Sequence, residues 1–350
     1  MNDYLFNKVK GCLVVAGMGD GLGAPSEAWS YHDIVKKFGG PLVKFEDPTS
    51  NFYVKDNRIG EVTDDTSQMY ELALALIKKG KDFTANDAAD ALVNWSEKYP
   101  KYYPRNAGPT TRYVIDALKE GQDPVEVGKK GGTYDRGTSN GAAMRIAPAG
   151  LLYPDNMEKT IDLAIKMTQP THGTQHAYAG ACAIACGISK ALGKDTSVLD
   201  IIKACLYGAE QGEIIGVKEA RIAPGSSTLS KLKQGICIAV DNLNTNLFDM
   251  TKEIEKNVGN DGSVQSSVAC AVAIFLHSNG DYLKTIQGGA NLGGDTDTIA
   301  CIAGKLAGAY SGFDKVDSEL YKTFTAANPS FDFDYVAEKI TELADKNCDK

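Results

Sequence analysis

The chain has 350 residues, with 37 Lys and Arg against 45 Asp and Glu, for a net charge of -8 at neutral pH. That surplus argues against a nucleic-acid backbone or an anionic membrane as the main partner, and 43% hydrophobic with 23% charged residues is the balance of a globular protein with a large core. The Met1-Asn2-Asp3-Tyr4 start has no basic leader, no apolar run reaches a membrane span, and the eight cysteines make no Cys-x-x-Cys pair, so reduced, buried thiols and a cytoplasmic location are expected.

Taken in order, the chain reads as helix after helix. Leu5, Val9, Cys12, Leu13 and Ala16 form an apolar stripe that runs into Gly17-Met18-Gly19-Asp20-Gly21-Leu22-Gly23. There the glycines are expected to end the helix and let backbones pack closely. The same residues satisfy a loose Gly-x-Gly-x-x-Ala dinucleotide pattern, but the preceding spacing is helical and no βαβ alternation follows. Glu27 stands just beyond. Residues 41–53 are the least helical, a short hairpin or a loop. Thr63-Asp64-Asp65-Thr66 precedes Met69, Leu72, Ala73, Leu76 and Ile77, which share one helical face.

Thr84 reads as the N-cap of a helix through residue 95, and 109–118 and 156–167 as further helices. Between them, Gly137-Thr138-Ser139-Asn140-Gly141 leads into Ala142-Ala143-Met144-Arg145. Glycine, small hydroxyls and open N–H groups there make either a phosphate cradle or an ordinary turn and cap. Arg145 is suited to pair with a phosphate or with a buried aspartate. Thr171-His172 and His176 open a helix over 174–192 whose Ala, Cys and Ile content makes it central. His172 reads as a substrate contact or a loop support. Cys182 and Cys186, one turn apart in Ala-rich surroundings, suit packing better than a thiolate site.

Helices are expected over 196–211, 229–258 with interruptions, 263–277 and 299–311, and the 333–345 tail is amphipathic. Glycine-rich breaks at 128–141 and 288–294 separate helices rather than domains. Without strand alternation or repeats, the reading is an all-α single domain over 1–350, an orthogonal helical bundle in the terms of the resemblance given below.

The chemistry concentrates in two acidic patches near opposite ends of the chain, Thr63-Asp64-Asp65-Thr66 and Gly293-Gly294-Asp295-Thr296-Asp297-Thr298. The second precedes Ile299, Ile302, Ala303, Leu306 and Tyr310, again one helical face. Asp and Thr are ordinary N-caps, yet one cap would serve each helix where three oxygen-bearing side chains stand. Carboxylates this close repel unless a cation lies between them, and all-oxygen donors suit Mg²⁺ or Mn²⁺ rather than zinc. One two-metal site built from both patches is expected. Gly137-Thr138-Ser139-Asn140-Gly141 fits the letters of Gly-x-Ser-x-Gly, but no strand alternation precedes it to make a nucleophile elbow, so a serine hydrolase has no support.

These segments, in this order, resemble the ADP-ribosylglycohydrolase family: GMGDGLGAPSE at 17–27, VTDDTSQ at 62–68, RGTSNGAAMRIAPAG at 136–150, TH at 171–172 and NLGGDTDTIACIAGKLAGAYSG at 291–312. The resemblance implies a helical fold around two Mg²⁺ or Mn²⁺ ions. Thr63, Asp64 and Asp65 would hold one ion, Asp295 and Thr298 the other, with Asp297 between them. Glu27 would stand beside the metals as base or ligand, grouped with Asp64 and Asp297 as catalytic. Gly137, Thr138, Ser139 and Asn140 would bind a diphosphate, and His172 the distal part of the ligand. The implied reaction is hydrolysis of the ribosyl C1″ N- or O-glycosidic bond of an ADP-ribosylated protein side chain or small ADP-ribosyl compound, two ions positioning ribose hydroxyls and a water. A riboside or phosphoester hydrolase on the same centre, or a non-catalytic ADP-ribose binder, are the alternatives. Some family members place an acidic residue near the scissile bond where this chain has Tyr102 to Gly108, with Asn106 and no carboxylate. That leaves arginine-type specificity open, with either tyrosine a candidate to stack on adenine.

Overall fold

The computed structural model describes residues 2–130 and 136–348. Among the described residues all extended regular structure is helical, and the β-type contacts are two isolated bridges, Ser139 with Ser263 and Thr174 with Arg221. The all-α expectation holds. The expected break at 128–141 falls partly outside the described residues.

Local chemistry sets the helix starts. Thr84 and Asp87 form a capping box for Ala85–Lys98, and Ser197 and Asp200 do the same for Val198–Glu219. The latter helix runs past its expected end. The interruption in 229–258 lies between Thr228–Asp241 and Leu247–Asn257. Residues 41–53 hold no hairpin, only loop and a short 3₁₀ turn at Pro48–Ser50. The break expected at 288–294 begins too early, because Gly288 and Gly289 still belong to the helix Tyr282–Ala290.

The largest departure is the first helix. It spans Asp3–Gly23 and runs through the glycine-rich segment rather than ending at it. The reason is its partner, Thr296–Ser311. A Cβ at Gly11, Gly19 or Gly23 would stand 2.4 Å from the carbonyl oxygen of Gly308, Ala300 or Thr296, and one at Gly304 would stand 2.6 Å from that of Val15. The two helices therefore run antiparallel in backbone contact along a seam of small residues. Glycine costs about 1 kcal/mol of helix propensity per residue, and here the close approach that only glycine permits offsets it. The expected close packing is present, carried by a continuous helix.

The central helix Gln175–Ala191 uses the same device against Val198–Glu219, where a Cβ at Gly208 or Gly212 would strike the carbonyl oxygens of Cys182 or Tyr178. Cys12, Cys182, Cys186, Cys205, Cys270 and Cys301 are buried free thiols, and burial pushes that of Cys186 up to about 12. The C-terminal segment buttresses the first acidic patch. Asn328 accepts from the Val62 amide at 3.1 Å and donates to the Gly60 carbonyl at 2.8 Å, while Phe331 and Phe333 pack edge-on to Tyr70. No described helix is long and apolar enough to cross a membrane.

Candidate active site

Both acidic patches stand at helix starts and face one cavity. Thr63 caps Asp64–Lys79, and Asp295 is the N-cap residue of Thr296–Ser311. What fixes the first patch is Asp20, a role that no local pattern in the sequence announces. Its fully buried carboxylate accepts the amides of Thr63 at 3.0 Å and Thr66 at 3.1 Å and the Thr66 hydroxyl at 2.6 Å. The end of the first helix thus holds the start of the Asp64 helix.

The second patch is fixed by a backbone hook. The Ala28 amide donates to the Gly294 carbonyl at 2.7 Å, and the Gly294 amide donates to the Trp29 carbonyl at 2.9 Å. Gly293 and Gly294 take φ of 82° and 67°, the left-handed region glycine tolerates. Ala28 is held at φ 64° without that licence, a strained position of the kind found at functional sites. The hook carries Glu27 to the same cavity.

Across the join, the Thr298 hydroxyl donates to Asp65 Oδ2 at 3.4 Å, and the Thr63 hydroxyl reaches the same oxygen at 3.3 Å. The two ends of the chain meet there. The cavity, of about 530 Å³, is lined by Glu27, Asp64, Asp65, Asp295, Asp297 and Thr298, with Ser139, Asn140 and Met144 alongside and Tyr53, Arg105, Asn106, Arg112 and Arg136 toward the other wall. That volume is in the range of small-molecule sites, roughly 300–1,000 Å³.

The electrostatics of the floor are unfavourable without a counter-charge. Burial, then the charges of Asp295, Asp65 and Asp20, push the Glu27 carboxyl up to about 8. Burial, then Asp20 and Asp295, push Asp65 to about 8, and Asp64 and Asp297 are raised well above the carboxylate range by burial and their acidic neighbours. Asp65 Oδ1 is buried with no hydrogen-bond partner. The carboxylates ring the cavity without closing on one point: among the described residues no three acidic, imidazole or thiol groups are gathered as a finished metal cage.

The 137–141 loop abuts this floor. Its backbone is tied to 262–264 by Asn140 N–H to the Gly262 carbonyl and Val264 N–H to the Thr138 carbonyl, each at 2.9 Å. Asn140 Nδ2 donates to Asp295 Oδ2 at 2.7 Å and to Ser267 Oγ at 2.9 Å. Gly141 is required because a Cβ there would lie 2.8 Å from the His172 ring.

A family model described as ADP-ribosylglycohydrolase matches residues 1–349. The chain belongs to the ADP-ribosylglycohydrolase family. It is 28% identical over 338 residues to the YegU protein of Escherichia coli (strain K12), covering 96% of each chain. It is 27% identical over 337 residues to human ADP-ribosylhydrolase ARH3, covering 89% of this chain and 87% of that one. A solved structure titled ADP-ribosylglycohydrolase-related protein complex shares the fold, with a TM-score of 0.64, 21% identity and coverage of 98% and 99%. The chain is accordingly a hydrolase of the glycosidic class.

As an ADP-ribosylglycohydrolase the chain has its candidate residues in three positions. Glu27, Asp64, Asp65, Asp295, Asp297, Thr298, Ser139 and Asn140 line the cavity. Thr63 is buried beneath it as the helix cap. Gly137 and Thr138, at the start of the loop, and His172 do not line the cavity: Gly137 offers its carbonyl to Thr174 Oγ1 at 2.6 Å, and His172, fully buried, meets Ser139 Oγ through Nε2 at 2.8 Å. Of the two roles open to His172, the geometry supports the loop. Arg145 makes no ion pair with an aspartate among the described residues, although the charges of Asp64 and Asp65 act on it, and it bonds to Gln68 and Thr171. Tyr102 and Tyr103 do not line the cavity. Tyr102 reaches Glu61 and Tyr103 packs on Trp95. Tyr53 is the aromatic residue at the cavity wall.

Proposed function

We propose that this chain hydrolyses the ribosyl C1″ glycosidic bond of ADP-ribosylated side chains or small ADP-ribosyl compounds, with two Mg²⁺ or Mn²⁺ ions as cofactors. The observation that carries the reading is the contact of Thr298 with Asp65, which brings two distant acidic patches onto one cavity floor beside Ser139 and Asn140.

The residues present fit such ions. The donors are all oxygen, the carboxyls are raised by one another's charge, and Asp65 Oδ1 is buried without a partner. Thr63, Asp64 and Asp65 would hold one ion, and Asp295 and Thr298 the other, with Asp297 between. Such ions supply positive charge that orients vicinal ribose hydroxyls and lowers the pKa of water.

The protein's own groups divide the remaining work. Glu27, which lines the cavity with the four aspartates, is the group to hold or take the proton of an attacking water. Ser139 and Asn140 bind the diphosphate, and the Asn140 bond to Asp295 keeps that loop in register with the ribose end. Arg112 and Arg136 line the cavity with Asn106, and Arg105 beside them is paired with Asp56; the two remaining guanidiniums favour anionic over cationic groups. Unpaired buried thiols are consistent with a cytoplasmic setting.

The test is incubation of the purified chain, with Mg²⁺ or Mn²⁺, with peptides ADP-ribosylated on Ser or Arg and with small ADP-ribosyl compounds, followed by chromatography. Released ADP-ribose is expected, and lost in Asp295→Ala and Asp64→Ala. Full turnover by both variants would overturn the reading. Inorganic phosphate or a free base as product would favour the phosphoester or riboside alternative.

A further inference from the structure

Arg145 is fully buried, and among the described residues it forms no ion pair. Burial lowers its pKa to about 10, so it remains charged at neutral pH. The charges of Asp64 and Asp65 favour its cationic form, but its hydrogen-bond partners are all neutral, so the arrangement of those neighbours matters. Nη1 donates to Gln68 Oε1 at 2.8 Å. Nη2 donates to Thr171 Oγ1 and faces His172 Nδ1 at 3.4 Å.

A guanidinium has five N–H donors and no acceptor, so each neighbour must turn an acceptor toward it. Gln68 presents its oxygen, which leaves its amide to donate to Asp64 Oδ2 at 2.9 Å. The flipped amide would set donor against donor. Thr171 Oγ1 accepts from Arg145 and lies 2.7 Å from His172 Nδ1. A proton on Nδ1 would point at both the guanidinium and an oxygen already accepting from it. Nδ1 is therefore the bare nitrogen, and the proton sits on Nε2, which donates to Ser139 Oγ at 2.8 Å. Burial and the Arg145 charge also hold the imidazole neutral. With its oxygen accepting from His172, Ser139 has its own hydroxyl proton left for the cavity it lines.

We propose that Arg145 is a positioning residue that sets the direction of two hydrogen-bond arms. Through Gln68 it presents a donor to Asp64 on the acidic floor. Through Thr171 and His172 it makes Ser139 a donor to an anionic phosphate oxygen. The inference rests on the substrate reading above for the identity of that anion; the direction of the bonds does not.

The primary test is long-range ¹H–¹⁵N correlation NMR on the ligand-free full chain with ¹⁵N-histidine, its four histidines assigned by substituting His32, His176 and His277 in turn. The expected result is a single neutral tautomer of His172 with the proton on Nε2. Arg145→Met is expected to yield a mixture of tautomers. A proton on Nδ1, an imidazolium at neutral pH, or a mixture in the unsubstituted chain overturns the proposal, and these outcomes remain decisive if Arg145→Met does not fold.

The second test separates the arms. Ser139→Ala should weaken ADP-ribose binding and raise KM roughly tenfold to hundredfold, the loss of one hydrogen bond to a charged group. Gln68→Leu should lower kcat while KM stays within about twofold. Ser139→Ala binding ADP-ribose as well as the unsubstituted chain would refute the donor role. If no ADP-ribosyl compound is bound or turned over, the substrate reading fails, and the His172 tautomer still decides the role of Arg145.

Discussion

Replacing Asp65 with asparagine should stabilise the ion-free protein and abolish its response to divalent ions. Asp65 is 2% exposed, with Oδ1 partnerless and Oδ2 shared between two hydroxyls. Its carboxyl is pushed to about 8 when folded, against about 3.9 in an unfolded chain. Between those values the folded state binds a proton that the unfolded state does not. Stability from this group is therefore greatest at low pH and is lost as pH rises through the window. At pH 7 the penalty is about three pH units, on the order of 4 kcal/mol. The Asp65→Asn variant escapes it but leaves an amide imperfectly paired, at about 1–3 kcal/mol. The net gain is about 1–3 kcal/mol, or about 1–4 °C in Tm for a chain of this size. Bound ions should act oppositely, adding about 2.7 kcal/mol to the unsubstituted chain at a hundredfold excess over Kd and little to the variant. Calorimetric melting in EDTA and in excess Mn²⁺ should show the order of the two proteins invert. A variant that melts lower in EDTA, or gains as much from Mn²⁺ as the parent, would refute both the like-charge argument and the shared ion site.

Gly23→Ala drives a Cβ to 2.4 Å from the Thr296 oxygen and 2.6 Å from Asp297 Cα; a loss of about 1–3 kcal/mol is expected, with weaker Mn²⁺-induced stabilisation, read by thermal melting. Asp20→Ala leaves the Thr63 and Thr66 amides without their acceptor, and chemical denaturation should show a loss of about 2–4 kcal/mol with the Mn²⁺ response gone. His172 has its pKa lowered well below 6.5 by burial and then Arg145, so below about pH 6.5 the unfolded chain takes up a proton that the native state refuses. Stability should fall with acidity by up to about 1.4 kcal/mol per pH unit from this group, and urea denaturation between pH 5 and 7 should show a flatter dependence in His172→Gln.

Much of this was legible because the signals are local. Thr84 with Asp87 announces a capped helix by spacing alone, and the Asp64-Asp65 and Asp295-Asp297 pairs announce charge that needs a partner. What escaped depends on contacts that no local pattern carries. Asp20 sat in a segment that read as a chain break, because glycine propensity argues against a helix and the compensating seam with residues 296–308 is invisible in sequence. Tyr282–Ala290 escaped for the same reason, its last glycines resting against Ala300 and Ile274. The hydrogen-bond partners of Arg145 are not legible either, since Gln68 and Thr171 carry no charge to advertise them. The cavity wall contributed by Tyr53 and Asn106 lies in loops, whose course follows from packing rather than periodicity.

The end of the first helix explains why the two acidic patches meet at all. Gly19 and Gly23, one turn apart, press against the Thr296 helix, while Asp20, about 100° round the helix from Gly19, caps the Asp64 helix. One rigid rod thus grips both helix starts and fixes the span between the patches. Side chains reaching inward from either side close that span, as Thr298 and Asp65 do. Loops would relax apart under the repulsion of five carboxylates. Helix starts pinned by backbone contact and a buried carboxylate cannot, so the fold holds the acidic cluster together whether or not it is neutralised. In the metal site proposed above, that standing repulsion is what a hard cation would relieve, and the absence of slack would keep the site ready without reorganisation.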